Sequence, residues 1–464
     1  MKRITLLFLI LLAVNFSFAQ KSNVTQASSQ LGMGKLDVAK QAIDEDLAAN
    51  DEKTVSWYKA WFVRGQVYQA ISESLLPMYK ALDADAVSKA YDAYMKALSF
   101  CGTEKKPEKA QAEVYEKLFN PEKPLDPSMK TALINKGATE FGEKKYANAV
   151  ASFEQAMELN NMVGATNVID SAVIYYTALA CDNAGNEADE TAKKAFYDKA
   201  LTLYSKAIEI KYEAEKAYVF KAGILEKLGD KKATLDCINQ GLASYPSSGL
   251  IIGSMINYYI NNNELDKALT SVSDAIAKGN DDPSYLYTKG ALLDKKAEGF
   301  ANRAKELNEI VKESKKELFR ERNNPAKLKE VQARYDKEVA EYNTSDKQSE
   351  AVYSEAIAMY DQTLAKKADY FDAAYNKGAI FYNHAVKHEL AANGISPTDD
   401  QDGSKFKTSM DKANEYFKKS LDAFLAADKI KPKDEYTLKN LKNIYYKLKM
   451  TDKYNEMKQL IDNL

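Results

Sequence analysis

The chain holds two histidines, and they stand together: His384 and His388 sit at i and i+4 on one helical face, a spacing that can hold a metal ion. Glu389 follows the second, so the order does not match the HExxH pattern of zinc hydrolases. The nearest further donors are Asp399, Asp400 and Asp402, in a stretch Asp400-Gln401-Asp402-Gly403 that matches part of a calcium loop. Its first ligand would be Thr398 and its last Ser409, where a bidentate Glu is needed. With both histidines beside each other on one helix, no Ser, His and Asp set can assemble, and no phosphate loop or dinucleotide fingerprint occurs. Cys101, Cys181 and Cys237 form no CxxC; Cys181 and Cys237 fall at inward helical positions, where cysteine serves as a small buried hydrophobe. The two histidines read as solvated or packing residues. The expectation is a chain that is not an enzyme, with no catalytic residues, no metal and no cofactor; a metal-dependent hydrolase around His384 and His388 is the last of three alternatives.

Composition points the same way. The net charge is −2 with both signs interspersed, so there is no basic stripe to neutralise phosphates, and no nucleic-acid partner is expected. Tyrosine is abundant, 30 residues against 2 Trp, which suits helix packing and grooves that grip peptides. Lys2 and Arg3, the apolar run Ile4 to Val14 and the small-x-small site Ser17-Phe18-Ala19 predict a signal peptide over 1–19, cleaved before Gln20. No later stretch is apolar enough to span a bilayer, so the mature chain is expected to be exported without a transmembrane segment, to a bacterial periplasm.

The elements that must carry any binding surface are repeats. Gly137, Ala149, Phe153 and Ala156 stand 12, 4 and 3 residues apart, and the same ladder returns as Tyr218, Ala222, Thr234, Ile238, Gly241 and Pro246. It returns again as Ile252, Tyr259, Ala268, Val272 and Ala275, a period of about 34 residues, the length of a helix–turn–helix repeat. Further matches are Trp61-Gly65-Tyr68 with Ala90-Tyr94-Ala97, Ala178 with Ala200-Tyr204-Ala207, and Gly378 with Ser420-Phe424-Ala427. The small residues let two helices cross closely, and the large residue after the second fills the hole. Gly290 and Ala356 are one such pair split by an insertion, 66 residues apart where 12 is the rule. Within it Leu293, Ala297, Phe300, Ala304, Leu307, Val311, Ser314 and Leu318 recur at steps of 3 and 4, and Asn323-Asn324-Pro325 marks a turn. Leu328, Val331, Tyr335, Tyr342 and Val352 return in the same rhythm, so an antiparallel coiled-coil hairpin is predicted over 294–349, with arms of roughly 40 Å.

The pattern resembles the tetratricopeptide repeat (TPR) family, exported bacterial type: large, small and aromatic residues in the first helix, then Ala, aromatic and Ala in the second. The resemblance implies an all-α, right-handed solenoid of about eight helix pairs. The organisation expected is a leader over 1–19, amino-terminal helical repeats over 20–120, a Pro-rich spacer over 121–128 and a solenoid over 129–464. Ser72 to Ser88 and Asn183 to Thr191 are expected insertions, with Gly185 at the turn of the second, and 391–408 an expected polar loop. In the family, positions 5, 9 and 12 of each repeat face the concave groove. On this chain they give candidate partner-binding residues Phe62, Gln66, Tyr175, Asp182, Asn257, Tyr287, Asp294, Tyr375 and Tyr382. Lys439 and Asn443 match the first pair of a carboxylate clamp, but in the final repeat, where no later one completes it. The function implied is a noncatalytic scaffold or adaptor of the cell envelope that binds a protein or peptide in its groove. The alternative is a structural subunit of an envelope complex that docks through the 294–349 hairpin.

Overall fold

The computed structural model describes residues 23–119, 129–160, 162, 170–396 and 400–463. The leader expected at 1–19 and the spacer expected at 121–128 lie outside the described residues. Two compact units divide the chain, Met1–Cys237 and Ile238–Leu464. All regular structure among the described residues is helical.

The first unit opens with α1 (23–32), α2 (Leu36–Ala48), α3 (Glu52–Val55) and α4 (Tyr58–Glu73). Then come α5 (Pro77–Lys80), α6 (Ala86–Phe100), α7 (Pro107–Phe119), α8 (Met129–Gly142) and α9 (Tyr146–Asn160). It continues through α10 (Ser171–Glu187), α11 (Glu190–Glu209), α12 (Ala214–Lys227) and the start of α13 (Lys231–Ser244). The second unit takes over within α13 and holds α14 (Gly249–Asn261), α15 (Leu265–Ala277), α16 (Pro283–Arg320), α17 (Pro325–Lys366), α18 (Phe371–Asn393), α19 (Ser404–Ile430), α20 (Glu435–Lys447) and α21 (Thr451–Asp462).

The helices pair as the repeat spacing predicts, and the reason is visible at each crossing. A Cβ placed on Gly65 would stand 2.5 Å from the Tyr94 ring, one on Gly137 2.6 Å from Phe153, one on Gly290 2.9 Å from Tyr360 and one on Gly378 3.0 Å from Phe424. The aromatic of the second helix lies directly on the backbone of the first, and Tyr94, Tyr360 and Phe424 are fully buried. Each such ring contributes roughly 2–3 kcal/mol through burial. Where the small residue is Ala178, the ring is the equally buried Tyr204.

The short turns inside a pair share one device. Gly34, Lys144, Gly229, Asn263 and Lys449 take positive φ between consecutive helices. The amide of the next residue bonds back across the helix end, as in Lys145 N to Glu140 O at 2.8 Å and Glu264 N to Tyr259 O at 2.8 Å. This is a Schellman close, which satisfies carbonyls left open at a helix end. Pairs α4–α6, α10–α11, α16–α17 and α18–α19 lack it, and these are the pairs with longer helices or insertions. Starts are fixed by side chains: Asp170 caps α10 through Val173 N, Asp282 caps α16 ahead of Pro283, and Asn324 caps α17 ahead of Pro325.

Two sequence expectations need correction. Gly185 is not a turn: it lies in the last turns of α10, where a Cβ would meet the Tyr197 ring at 2.6 Å. The added residues extend both helices and create a second close crossing. The polar connection is also shorter than 391–408, because α18 runs to Asn393 and α19 begins at Ser404. In α7, Ala110, Val114 and Leu118 are buried on one face. Cys101, Cys181 and Cys237 are buried and free, and burial pushes the Cys181 thiol up to about 12.

The hairpin is α16 and α17, the longest helices among those described. Ala297, Ala304, Leu307, Ser314, Val331, Ser345 and Ser349 are buried along the seam. Two polar members of the seam bond across it: Ser345 donates to Phe300 O at 3.3 Å and Ser314 to Glu338 at 2.5 Å. The base of the hairpin is fastened to α18. Lys387 donates to Asp346 and to Glu350, both at 2.6 Å.

Candidate partner-binding surfaces

In the first unit the candidate residues divide between packing and polar roles. Phe62 is buried, its ring 6.0 Å from that of Tyr94, with the Lys59 ammonium 4.7 Å above it. Gln66 is half-buried. Tyr175 is buried among Tyr176, Tyr204 and Tyr212 at 5.6, 6.3 and 5.9 Å, and burial pushes its phenol up to about 12. Asp182 is also buried, but it is partnered: Lys227 of α12 donates to it at 3.2 Å. A first-helix carboxylate is thereby tied to the next first helix, which fixes the spacing of neighbouring repeats.

In the second unit Asn257 is exposed, while Tyr287, Asp294, Tyr375 and Tyr382 are half-buried. Tyr287 stands 4.9 Å from Tyr370 and 6.0 Å from Tyr360, ring to ring. Its hydroxyl accepts from Asn376 Nδ2 at 3.4 Å, and the same amide reaches Tyr360 at 3.4 Å. One repeat later the motif returns: the Tyr375 hydroxyl accepts from Asn440 Nδ2 at 3.1 Å, with its ring edge-on to Phe424 at 5.2 Å. Tyr382 packs against Phe417 at 5.7 Å. Successive first helices thus present a tyrosine whose hydroxyl is held by an amide from the next. The sequence reading singled out the tyrosines and missed Asn376, Asn440 and Tyr370. Asn376 directly follows a candidate tyrosine, yet its partners, Tyr287 and Tyr360, lie in earlier helices, so no local spacing marks it. Tyr370 also borders an open cleft of about 380 Å³ with Asp282, Asp369 and Asp372 on its walls and one cation, Lys367.

Asp294 lies in α16, four residues beyond the Gly290 crossing. Burial raises its carboxyl to about 6; Glu298 adds to the rise and His384 opposes it. The folded carboxyl therefore binds its proton more tightly than the unfolded one. Stability falls as pH rises through the window from 3.8 to about 6, and the full cost is present above it. Asp294→Asn is expected to stabilise the second unit by about 1–2 kcal/mol near neutral pH, after discounting for partial exposure, and by nothing below the window. Urea unfolding at both pH values checks this; equal gains at both would show that the effect is not one of charge.

The two histidines pack against different aromatic neighbours. His384 is buried with Nδ1 3.1 Å from Glu350 and its ring 5.0 Å from Tyr353. His388 stacks on Tyr416 at 5.5 Å, and burial, aided by the charges of Lys412 and Lys387, pushes its imidazole below the usual range. Burial alone would raise the Glu350 carboxyl, but His384 and Lys387 hold it down at about 2. No group of three metal-ligating side chains occurs among the described residues. Asp399 and Thr398 lie outside the described residues. Asp400 accepts from the amides of Lys405 and Phe406, and Asp402 from that of Ser404, so both carboxylates cap α19. Lys439 pairs with Glu435 of its own helix at 2.6 Å.

No protein-family model and no curated protein matches the sequence. Among solved structures the chain is similar to a TPR repeats protein from Bacteroides fragilis, at 16% identity over 68% of this chain and 98% of that one, with TM-score 0.26. It is also similar to a human IFIT1 dimer with m7Gppp-AAAA (13% identity, 88% of each chain, TM-score 0.29). A third is the P58(IPK) TPR domain (15% identity, 93% of this chain and 99% of that one, TM-score 0.24). Values this low carry no inference about ligand or partner. From its own crossings, turns and caps, the fold is one of stacked tetratricopeptide-type helix pairs with a helical hairpin grown out of one of them.

Proposed function

We propose that this chain is a noncatalytic interaction scaffold of the bacterial cell envelope, exported by a cleaved leader, that holds a peptide or protein segment along its first helices. The observation that carries this reading is the repeated tyrosine–amide pair, Tyr287 with Asn376 and Tyr375 with Asn440. Aromatic faces give contact area at low entropic cost, and the amides keep the hydroxyls fixed before a ligand arrives. The acidic cleft beside Tyr370 favours a segment that carries a Lys or Arg. No helix among the described residues is long and apolar enough to cross a membrane. With a net charge of −2 and no basic stripe along the repeats, a nucleic-acid partner is not proposed.

The test is capture from envelope extract followed by titration of the captured partner. Tyr287→Ala combined with Tyr375→Ala should weaken binding by at least about tenfold, as loss of aromatic anchors does. Unchanged affinity with an intact helical spectrum would remove the groove from consideration.

A second reading has its own observation. The Lys387 bridge to Asp346 and Glu350 fixes the hairpin base, so the arm is held in one direction, which suits docking into an envelope complex. Nothing in the surroundings of His384 and His388 favours a hydrolase.

A further inference from the structure

The outer end of the hairpin differs from the rest of the molecule in charge. Residues 312–334 carry eight Lys and Arg against four Glu, in a chain whose net charge is −2. Several of these charges are consumed in pairs: Lys312 with Glu309 at 2.7 Å, Lys316 with Glu313 at 2.5 Å, Lys327 with Glu321 at 3.0 Å, and Arg334 with Glu317. At the tip Arg320 and Lys329 are exposed and make no ion pair among the described residues. Phe319, in the last turn of α16 beside Arg320, is 68% exposed. Arg322 lies 4.2 Å over that ring and donates to the Phe319 carbonyl at 2.9 Å, which holds an aromatic and a guanidinium together at the point of the arm.

We propose that this tip contacts an anionic phospholipid surface, with Phe319 entering the headgroup layer and Arg320, Arg322 and Lys329 against its phosphates. This rests on the reading of the hairpin as a docking arm. Size favours lipid over a protein partner. Two helix ends side by side span about 20 Å, a few hundred Å² of contact, well below the roughly 800 Å² per partner of a stable protein interface. A lipid surface needs no matching shape; it rewards excess positive charge and one aromatic at the interface, which is what the tip offers.

The experiment is co-sedimentation of the mature chain with vesicles of phosphatidylglycerol in phosphatidylcholine, or of phosphatidylcholine alone. Binding is expected to the first only, and to fall with added salt. Arg320→Glu with Lys329→Glu should weaken it by at least about tenfold, because each basic residue adds to attraction at an anionic surface. Phe319→Ser should weaken it with the salt dependence kept. All three substituted positions are exposed, so helical content should be unchanged. No binding to the anionic vesicles, or equal binding by the charge variant, overturns the proposal. If the charge variant instead loses a protein captured from lipid-free extract, the tip serves an acidic protein and the lipid proposal falls. Replacing 304–343 by a short turn separates the two layers. Lost association in that variant with an unaffected charge variant leaves the docking arm standing without lipid; no loss in either removes both.

Discussion

Gly65→Leu is expected to destabilise the first unit by about 3 kcal/mol. Even the first added atom would stand 2.5 Å from the Tyr94 ring, and that ring is fully buried, with its hydroxyl held by Gln69 at 2.6 Å. It cannot swing away, so the helices must part. A better helix former recovers only about 1 kcal/mol of this. The informative control is Gly223→Ala, in α12 of the same unit, where nothing lies within 4 Å of the new Cβ. There the propensity gain stands alone, and stabilisation by about 0.5–1 kcal/mol is expected. Gly378→Ala, at 3.0 Å from Phe424, should fall between. Midpoints of urea unfolding give all three, and a neutral Gly65→Leu would mean that the crossing is looser than the ring positions require.

The second large effect concerns where the hairpin can be cut. Replacing 304–343 by a short Gly-containing turn is expected to leave stability within about 1 kcal/mol, because what it removes is an arm whose bonds run between its own helices. Replacing 294–349, the whole predicted insertion, is expected to cost about 3 kcal/mol. That cut removes Asp346 from Lys387 and strips Ala297, Ser345 and Ser349 from the seam beside α18. Guanidinium unfolding of the two variants decides the matter. Equal stability would show that the base contributes nothing; failure of the short cut to fold would make the whole hairpin part of the core.

The hairpin also shows how far the sequence reaches. Steps of 3 and 4 and an Asn-Asn-Pro turn are enough to specify two long helices packed antiparallel, since side-chain spacing along a helix is fixed by its geometry. Where such an arm stops being an appendage is not a local property. Lys387 is dozens of residues from Asp346 in sequence and looks like any solvated cation until α18 is laid beside α17.

Determined by the sequence alone were the all-helical class, the repeat period, the small residues at the crossings and the rings that cover them, because each depends on residues within one period. Tertiary structure alone decided the rest. It turned Gly185 from a turn into a second crossing, because Tyr197 folds back onto it. It gave Asp400 and Asp402 their amide partners at the start of α19, which their spacing did not indicate. It gave Tyr287 and Tyr375 their amide partners and Asp294 its raised proton affinity, which arise where separate helices meet and exclude water. Periodicity reports which face of a helix is inward; it does not report which side chains of other helices will be waiting there.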